Sequence, residues 1–74
     1  METAISNDVM LTTVGSNIKR LRLQKKMQQN ELAALCKIEK GNMSRIESGK
    51  VNITMSTLLS IRSALSVEVV ELFT

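Results

Sequence analysis

Residues 38–50 read IEKGNMSRIESGK, and this stretch decides how the rest of the chain is interpreted. Its apolar positions are only Ile38, Met43 and Ile46, too few for a helix that serves only to fill a core. The pattern predicts a short helix, about residues 40–48, with an exposed basic side and a stop at the second glycine. The basic residues and glycines of the stretch are Lys40, Gly41, Arg45, Gly49 and Lys50.

The flanking sequence has the spacing of further short helices. Val14, Ile18 and Leu21 recur at i, i+4 and i+7, which predicts a first helix over about residues 14–26. A second helix is expected at about 29–36, and Thr54 is the expected N-cap of a fourth. VEVVELF, residues 67–73, predicts a short fifth helix. The apolar residues expected on the second and fourth helices are Leu32, Ala33, Cys36, Met55, Leu58, Leu59 and Leu65.

Length and composition predict a single small helical domain. A chain of 74 residues has room for a thin core and for little else. It has no proline, tryptophan or tyrosine and only one phenylalanine, which favours an all-α fold over a sandwich of strands. Residues 1–13 show no sustained period, so we expect a flexible tail there and the domain in residues 14–74.

Cysteine usage and hydropathy predict the compartment. One cysteine makes neither an internal disulfide nor a metal site, and Cys36 is interpreted as a small core residue. The chain has no span of about 18 apolar residues, and its first residues do not resemble a signal peptide. We therefore expect a cytoplasmic protein with no membrane contact, no metal and no cofactor.

Charge is distributed unevenly along the chain. Residues 15–50 contain nine basic and three acidic residues, a net +6, whereas the remainder contains one basic and four acidic residues, a net −3. This asymmetry indicates a basic face for a polyanion, although a solvated helix surface without a partner would look the same.

The motifs together resemble a known family. A tight KIE link joins the second and third predicted helices, an arrangement that allows the second of two helices to enter the major groove of DNA. With NIKRLRLQKKMQQNELA, MSRIESGK, STLLSIRSAL and VEVVELF, the chain resembles the phage-repressor and Cro-like (Xre) helix-turn-helix family over about residues 14–73. The resemblance implies a compact five-helix, lambda-repressor-like DNA-binding domain.

The resemblance also implies roles for individual residues. Gln29 matches a glutamine that contacts the DNA backbone and braces the recognition helix. Arg22 and Glu47 match an ion pair that ties the first helix to the end of the third. Base edges are expected to meet Lys40, Gly41, Ser44 and Arg45, and phosphates to lie near Asn42, Ser48, Lys50 and Asn52.

The chemistry of these positions fits those roles. Arginine can donate two parallel hydrogen bonds to guanine O6 and N7, and lysine can reach the same acceptors or a phosphate. Gly41 would let the backbone approach a groove wall, or it is a tolerated defect in a short helix. Lys40 and Arg45 could also be solvated surface, and Gln29 and Asn52 ordinary cap and turn residues.

Four positions depart from the family pattern. Gln28 stands where serine or threonine caps the second helix, and Lys26 and Lys37 stand at customary glycine positions. These three predict weaker local geometry. Arg62 stands where a small alanine is usual, so its guanidinium must reach solvent or find a carboxylate.

The predicted function is that of a transcriptional regulator. With no histidine and no catalytic constellation, the chain is not expected to be an enzyme or to bind a small-molecule substrate. We expect a homodimer on a near-palindromic operator, because one helix reads few base pairs. The dimer contact is placed at the C-terminal helix, on Val67, Val69, Val70, Leu72 and Phe73. The alternative is an antitoxin or adaptor module that binds another protein, which exposure of Leu23 and Leu35 would favour.

Overall fold

The computed structural model describes residues 4–74, in which four α-helices surround one core. The helices are α1 (Asp8–Gln24), α2 (Gln29–Cys36), α3 (Lys40–Glu47) and α4 (Met55–Leu65). Two short strands, β1 (Ala4–Ile5) and β2 (Ile53–Thr54), and a 3-10 helix (Val69–Leu72) complete the described part. The mostly helical fold is confirmed, but the count of five helices is wrong, because the C-terminal segment forms only one 3-10 turn.

The start of α1 differs from the prediction. The helix begins at Asp8, where the side chain of Asn7 accepts a 3.1 Å hydrogen bond from the Met10 amide. Leu11 is buried one turn before Val14 and extends the apolar side of the helix backwards. The expected flexible tail is therefore wrong for residues 8–13, which are helical. Residues 1–3 of that tail lie outside the described residues.

The two strands join the start of the chain to the segment after α3. They pair antiparallel, with Ile5 opposite Ile53. Ile53 is buried and Ile5 packs partly buried against the core. Strands of two residues are too short to show the alternating pattern by which a strand is recognised in a sequence.

Glycines allow α1 to lie very close to α3. A Cβ built on Gly15 would be 2.5 Å from the carbonyl oxygen of Ile46 and 2.7 Å from that of Glu47. Gly49 ends the α3 segment with φ +72°, as predicted, and its Cβ would be 2.9 Å from the Cα of Thr12. Both glycines therefore fix the position of α3 against α1.

The core confirms most of the predicted apolar residues. Thr54 caps α4 as expected, accepting a hydrogen bond from the Thr57 amide. On that helix, however, Met55 and Leu59 are exposed, and Ile61 occupies the core in their place. The buried apolar set is Leu11, Val14, Ile18, Leu21, Leu32, Ala33, Met43, Ile46, Ile53, Leu58, Ile61, Leu65, Val67 and Leu72.

The departures in the helix connections have structural consequences. Lys26 and Lys37 adopt φ +55° and +57°, the left-handed conformation that glycine tolerates best. At the start of α2, Gln28 forms no side-chain cap bond, and its backbone amide donates instead to Glu31 Oε1 at 3.0 Å. The second helix nevertheless spans the predicted residues, Gln29–Cys36.

Candidate nucleic-acid interface

Helix α3 has an inner and an outer side. Met43 and Ile46 are buried and anchor the inner side in the core, with α1 and α2 packed against it. Glu47 is also turned inward, and only 7% of its surface is exposed. The other five residues of the helix are exposed: Lys40, Gly41, Asn42, Ser44 and Arg45. The exposed residues of α3 therefore include two cations and no carboxylate, although the residue just before the helix, the N-cap Glu39, is acidic and exposed.

A buried polar cluster holds the end of α3. Arg22 Nε donates to Glu47 Oε2 at 2.7 Å and its Nη2 donates to Glu47 Oε1 at 3.1 Å, a bidentate ion pair. Arg22 Nη1 also donates to the carbonyl of Met27 at 2.9 Å. Gln29 Nε2 donates to Glu47 Oε1 at 3.1 Å, so α1, α2 and α3 meet at one carboxylate.

The outer side of α3 brings together the residues expected to meet base edges. Lys40, Gly41, Ser44 and Arg45 lie within two turns of one helix and are all exposed. A Cβ on Gly41 would meet only the side chain of Glu39, at 3.4 Å. No contact within residues 4–74 therefore requires glycine at this position.

The residues expected near phosphates surround that helix. Asn42 is exposed on α3, and Lys50 and Asn52 are exposed in the loop that leads to β2. Ser48 is exposed beyond the end of α3, and its hydroxyl donates to the carbonyl of Ser44 at 2.9 Å. Gln29 is half-buried, and its side chain is hydrogen-bonded to the Arg22–Glu47 pair.

The C-terminal apolar set is split by the fold. Val67 and Leu72 are buried in the protein's own core and are not available for a dimer contact, which corrects their predicted role. Val69 and Phe73 are half-buried, and Val70 is 63% exposed. Leu72 is held further by Asn17, a buried residue that the sequence pattern did not single out, whose Nδ2 donates to the Leu72 carbonyl at 3.0 Å.

Arg62 and Cys36 are both partly buried, outside the surface of α3. Arg62 is half-buried, so its guanidinium can reach solvent, and within residues 4–74 it forms no ion pair. Cys36 is half-buried, and burial raises the pKa of its thiol, which is therefore protonated at neutral pH. In the described part of the chain, none of the helices has both the length and the hydropathy to span a membrane.

Helices α2 and α3 are joined by three residues, and a buried ion pair ties α1 to the end of α3. The sequence comparison gives the class of domain to which this arrangement belongs. A family model described as helix-turn-helix matches residues 18–72. The chain belongs to this helix-turn-helix family, in its Xre-like, Cro-like branch of DNA-binding transcriptional regulators.

Individual relatives agree with that class. The chain is 40% identical over 65 residues to "Uncharacterized HTH-type transcriptional regulator y4dJ" of Sinorhizobium fredii, a match covering 88% of this chain and 84% of that protein. It is 33% identical over 57 residues to the immunity repressor protein of Bacillus phage phi105, covering 77% of this chain but only 40% of the repressor. Among solved structures, the restriction-modification controller protein C.AhdI of Aeromonas hydrophila superposes with a TM-score of 0.82 at 30% identity, over 85% of this chain and 96% of that one.

Proposed function

We propose that the protein is a sequence-specific transcriptional regulator that binds a near-palindromic operator as a homodimer, with α3 in the major groove. One observation carries this proposal: the exposed residues of α3 include two cations, Lys40 and Arg45, while the helix's only carboxylate, Glu47, is buried and paired, and the exposed carboxylate of Glu39 lies only at the N-cap before the helix. The inner side of α3 is anchored in the core, and its outer side is positively charged. Such a helix suits insertion into the major groove, between two phosphate backbones.

The contacts of α3 and its surroundings with DNA would be divided between base edges, which specify the sequence, and phosphates, which position the protein. Arg45 has the geometry to donate two hydrogen bonds to guanine, and Lys40 can reach the same acceptors. Gly41 leaves the backbone of α3 free to approach the groove wall closely. The positions proposed to lie near phosphates are Gln29, Asn42, Ser48, Lys50 and Asn52.

A homodimer follows from the limited reach of one recognition helix. A single helix reads only a few base pairs, so two subunits on half-sites about one helical turn apart are needed for useful specificity. We place the contact at the C-terminal segment around Val70, the exposed member of the apolar set, with Val69 and Phe73 at its edge. Because Val67 and Leu72 belong to the core, this contact is smaller than the sequence suggests.

A second candidate function rests on exposed leucines. Leu23 is 56% exposed and Leu35 is 61% exposed, as an antitoxin or adaptor surface would require. Leu35 and Leu59 also line a shallow cavity of about 480 Å³ between α2 and α4. An apolar surface of this kind suits another protein better than it suits DNA.

Binding to duplex DNA separates the two functions. Fluorescence anisotropy with an operator selected from a random pool should show tight binding that weakens steeply with added salt. Sedimentation should show two subunits per operator at saturation. A protein-only module would show little DNA binding at any salt concentration, and one subunit per operator would contradict the dimer.

The dimer contact has its own test. Val70→Asp places a charge on an exposed residue of the 3-10 helix, so the fold should remain while the affinity for the full operator falls by at least tenfold. Val9→Asp is the matched control, because Val9 is 76% exposed at the other end of the chain. Equal behaviour of the two variants would place the dimer contact elsewhere.

A further inference from the structure

A cleft separates α1 from the outer part of α3. Its volume is about 1020 Å³. Ser16, Lys19 and Leu23 of α1 line one side, and Ser44 of α3 and Ser48 just after it line the other. Since both serines belong to the surface proposed to meet DNA, the cleft continues that surface onto α1.

Helix α1 has a second organised side that the core does not use. Ser16, Lys19, Arg20 and Leu23 are spaced i, i+3, i+4 and i+7, so they lie on one side of the helix. All four are exposed and all four line the cleft. Leu23 lies off the core stripe, yet it occupies a regular position in this second stripe.

The cleft has two cations that form no ion pair with any of the described residues. Its lining includes Lys19, Arg20 and Arg22 but only one carboxylate, Glu47, which is already paired with Arg22. Arg20 donates to the neutral side chain of Asn17 at 3.4 Å, and neither Arg20 nor Lys19 forms an ion pair within residues 4–74. Two positive charges therefore remain for an external anion.

We propose that this cleft binds the phosphodiester backbone of the DNA beside the groove that α3 enters, with Lys19 contacting a phosphate and Leu23 packing on a deoxyribose. The inference rests on the proposed function and extends its footprint to α1. A nucleic-acid backbone alternates charged phosphates with less polar sugars, which matches a stripe of cations interrupted by one leucine. A lone small anion would leave Leu23 and most of the cleft unused.

Lys19→Ala tests the phosphate contact. Removing one phosphate contact with B-DNA should reduce the steepness of the log affinity against log salt plot by about 0.9 per subunit. On that basis the variant binds about eightfold more weakly per subunit at 0.1 M salt, and the loss of affinity shrinks as the salt concentration approaches 1 M. Random-sequence duplex should show the same change as the operator, because a phosphate contact carries no base preference.

Arg62→Gln is the matched control, since it also removes one positive charge but lies on α4 and does not line the cleft. Its salt dependence on random-sequence duplex should equal that of the parent. Leu23→Glu provides a second test, because a carboxylate in the cleft should weaken binding at low salt more than Lys19→Ala does. Both cleft positions are exposed, so helical circular dichroism should match the parent.

The outcomes separate this inference from the proposed function. A parent protein without salt-dependent DNA binding would overturn the proposed function itself. A parent that binds DNA normally, with Lys19→Ala showing the parent's salt dependence, would overturn only the cleft. Equal changes in Lys19→Ala and Arg62→Gln would also overturn it, because the effect would then reflect overall charge rather than the cleft.

Discussion

The inner and outer sides of α3 differ in what holds their side chains. On the inner side, Glu47 accepts hydrogen bonds from Arg22 and Gln29, next to buried Ile46. On the outer side, Lys40 and Arg45 are exposed and make no side-chain hydrogen bond or ion pair with the rest of residues 4–74. Arg45 is therefore available to DNA, whereas Glu47 supports the fold. Substitutions on the two sides should break different properties.

The largest effect is expected on the inner side, from Glu47→Ala. This change leaves the Arg22 guanidinium buried with only the Met27 carbonyl as its partner. Removing one member of a buried pair costs about 3–5 kcal/mol, and a domain this small has only about 5 kcal/mol of stability in all. We expect much of the variant to be unfolded at 37 °C by circular dichroism, with DNA binding lost through the fold.

A double variant shows whether Glu47→Ala destabilises the fold through the unpaired charge of Arg22 or through the lost side-chain volume. Arg22→Met with Glu47→Leu replaces the pair by apolar side chains, which is often neutral or better for stability. Most of the helical signal and of the thermal midpoint should return. If Glu47→Ala alone melts within a few degrees of the parent, the pair does not support α3 and the inner side has been misinterpreted.

The next effect is expected from Gly15→Ala, where α1 touches the end of α3. The new Cβ would lie 2.5 Å from a backbone oxygen, so α1 and α3 must move apart. Overpacking of this kind costs about 1–3 kcal/mol, which lowers the midpoint of a small domain by roughly 4–8 °C per kcal/mol. Thermal melting measures it, and an unchanged midpoint would show that α3 tolerates displacement.

Gly41→Ala is the matched change on the outer side and should have the smallest effect on stability, with the opposite sign. No backbone atom opposes its Cβ, so the variant gains up to about 1 kcal/mol from helix propensity. Operator affinity should fall all the same, because the methyl group keeps α3 from the groove wall. A variant that is more stable and binds DNA as tightly as the parent would mean that Gly41 is only a tolerated defect.

Much of the fold could be predicted because its signals are local. The spacing of Val14, Ile18 and Leu21, the cap at Thr54 and the stop at Gly49 each act within one or two helical turns. The start of α1 differs from the prediction although Asn7 and Leu11 signal it, because Leu11 is the only buried apolar residue of the helix before Val14 and because β-branched residues such as Thr12 and Thr13 have low helix propensity. Their hydroxyls donate to the carbonyls of Asp8 and Val9 and so remain compatible with a helix.

The features that could not be predicted depend on distant contacts. Gly15 resembles any helix glycine until the carbonyl of Ile46 is placed beside it. Asn17 resembles a surface residue until the chain end returns to it 55 residues later. In the sequence, Val67 and Leu72 resemble apolar residues in excess of those that the core needs. In the fold, both are buried in that core. The cleft on α1 likewise exists only after α1 and α3 are packed together.

The most direct test of base reading by α3 compares Arg45→Ala with Lys50→Ala on selected operator and on random duplex, by anisotropy over a range of salt concentrations. Arg45→Ala should cost about 1–3 kcal/mol on the operator and relax preference at one position per half-site. It should cost much less on random duplex. Lys50→Ala should weaken both duplexes alike and lower the salt slope by about one unit for each phosphate that Lys50 neutralises in the parent. If Arg45→Ala weakens operator and random duplex equally, the outer side of α3 does not read bases and the central claim is contradicted.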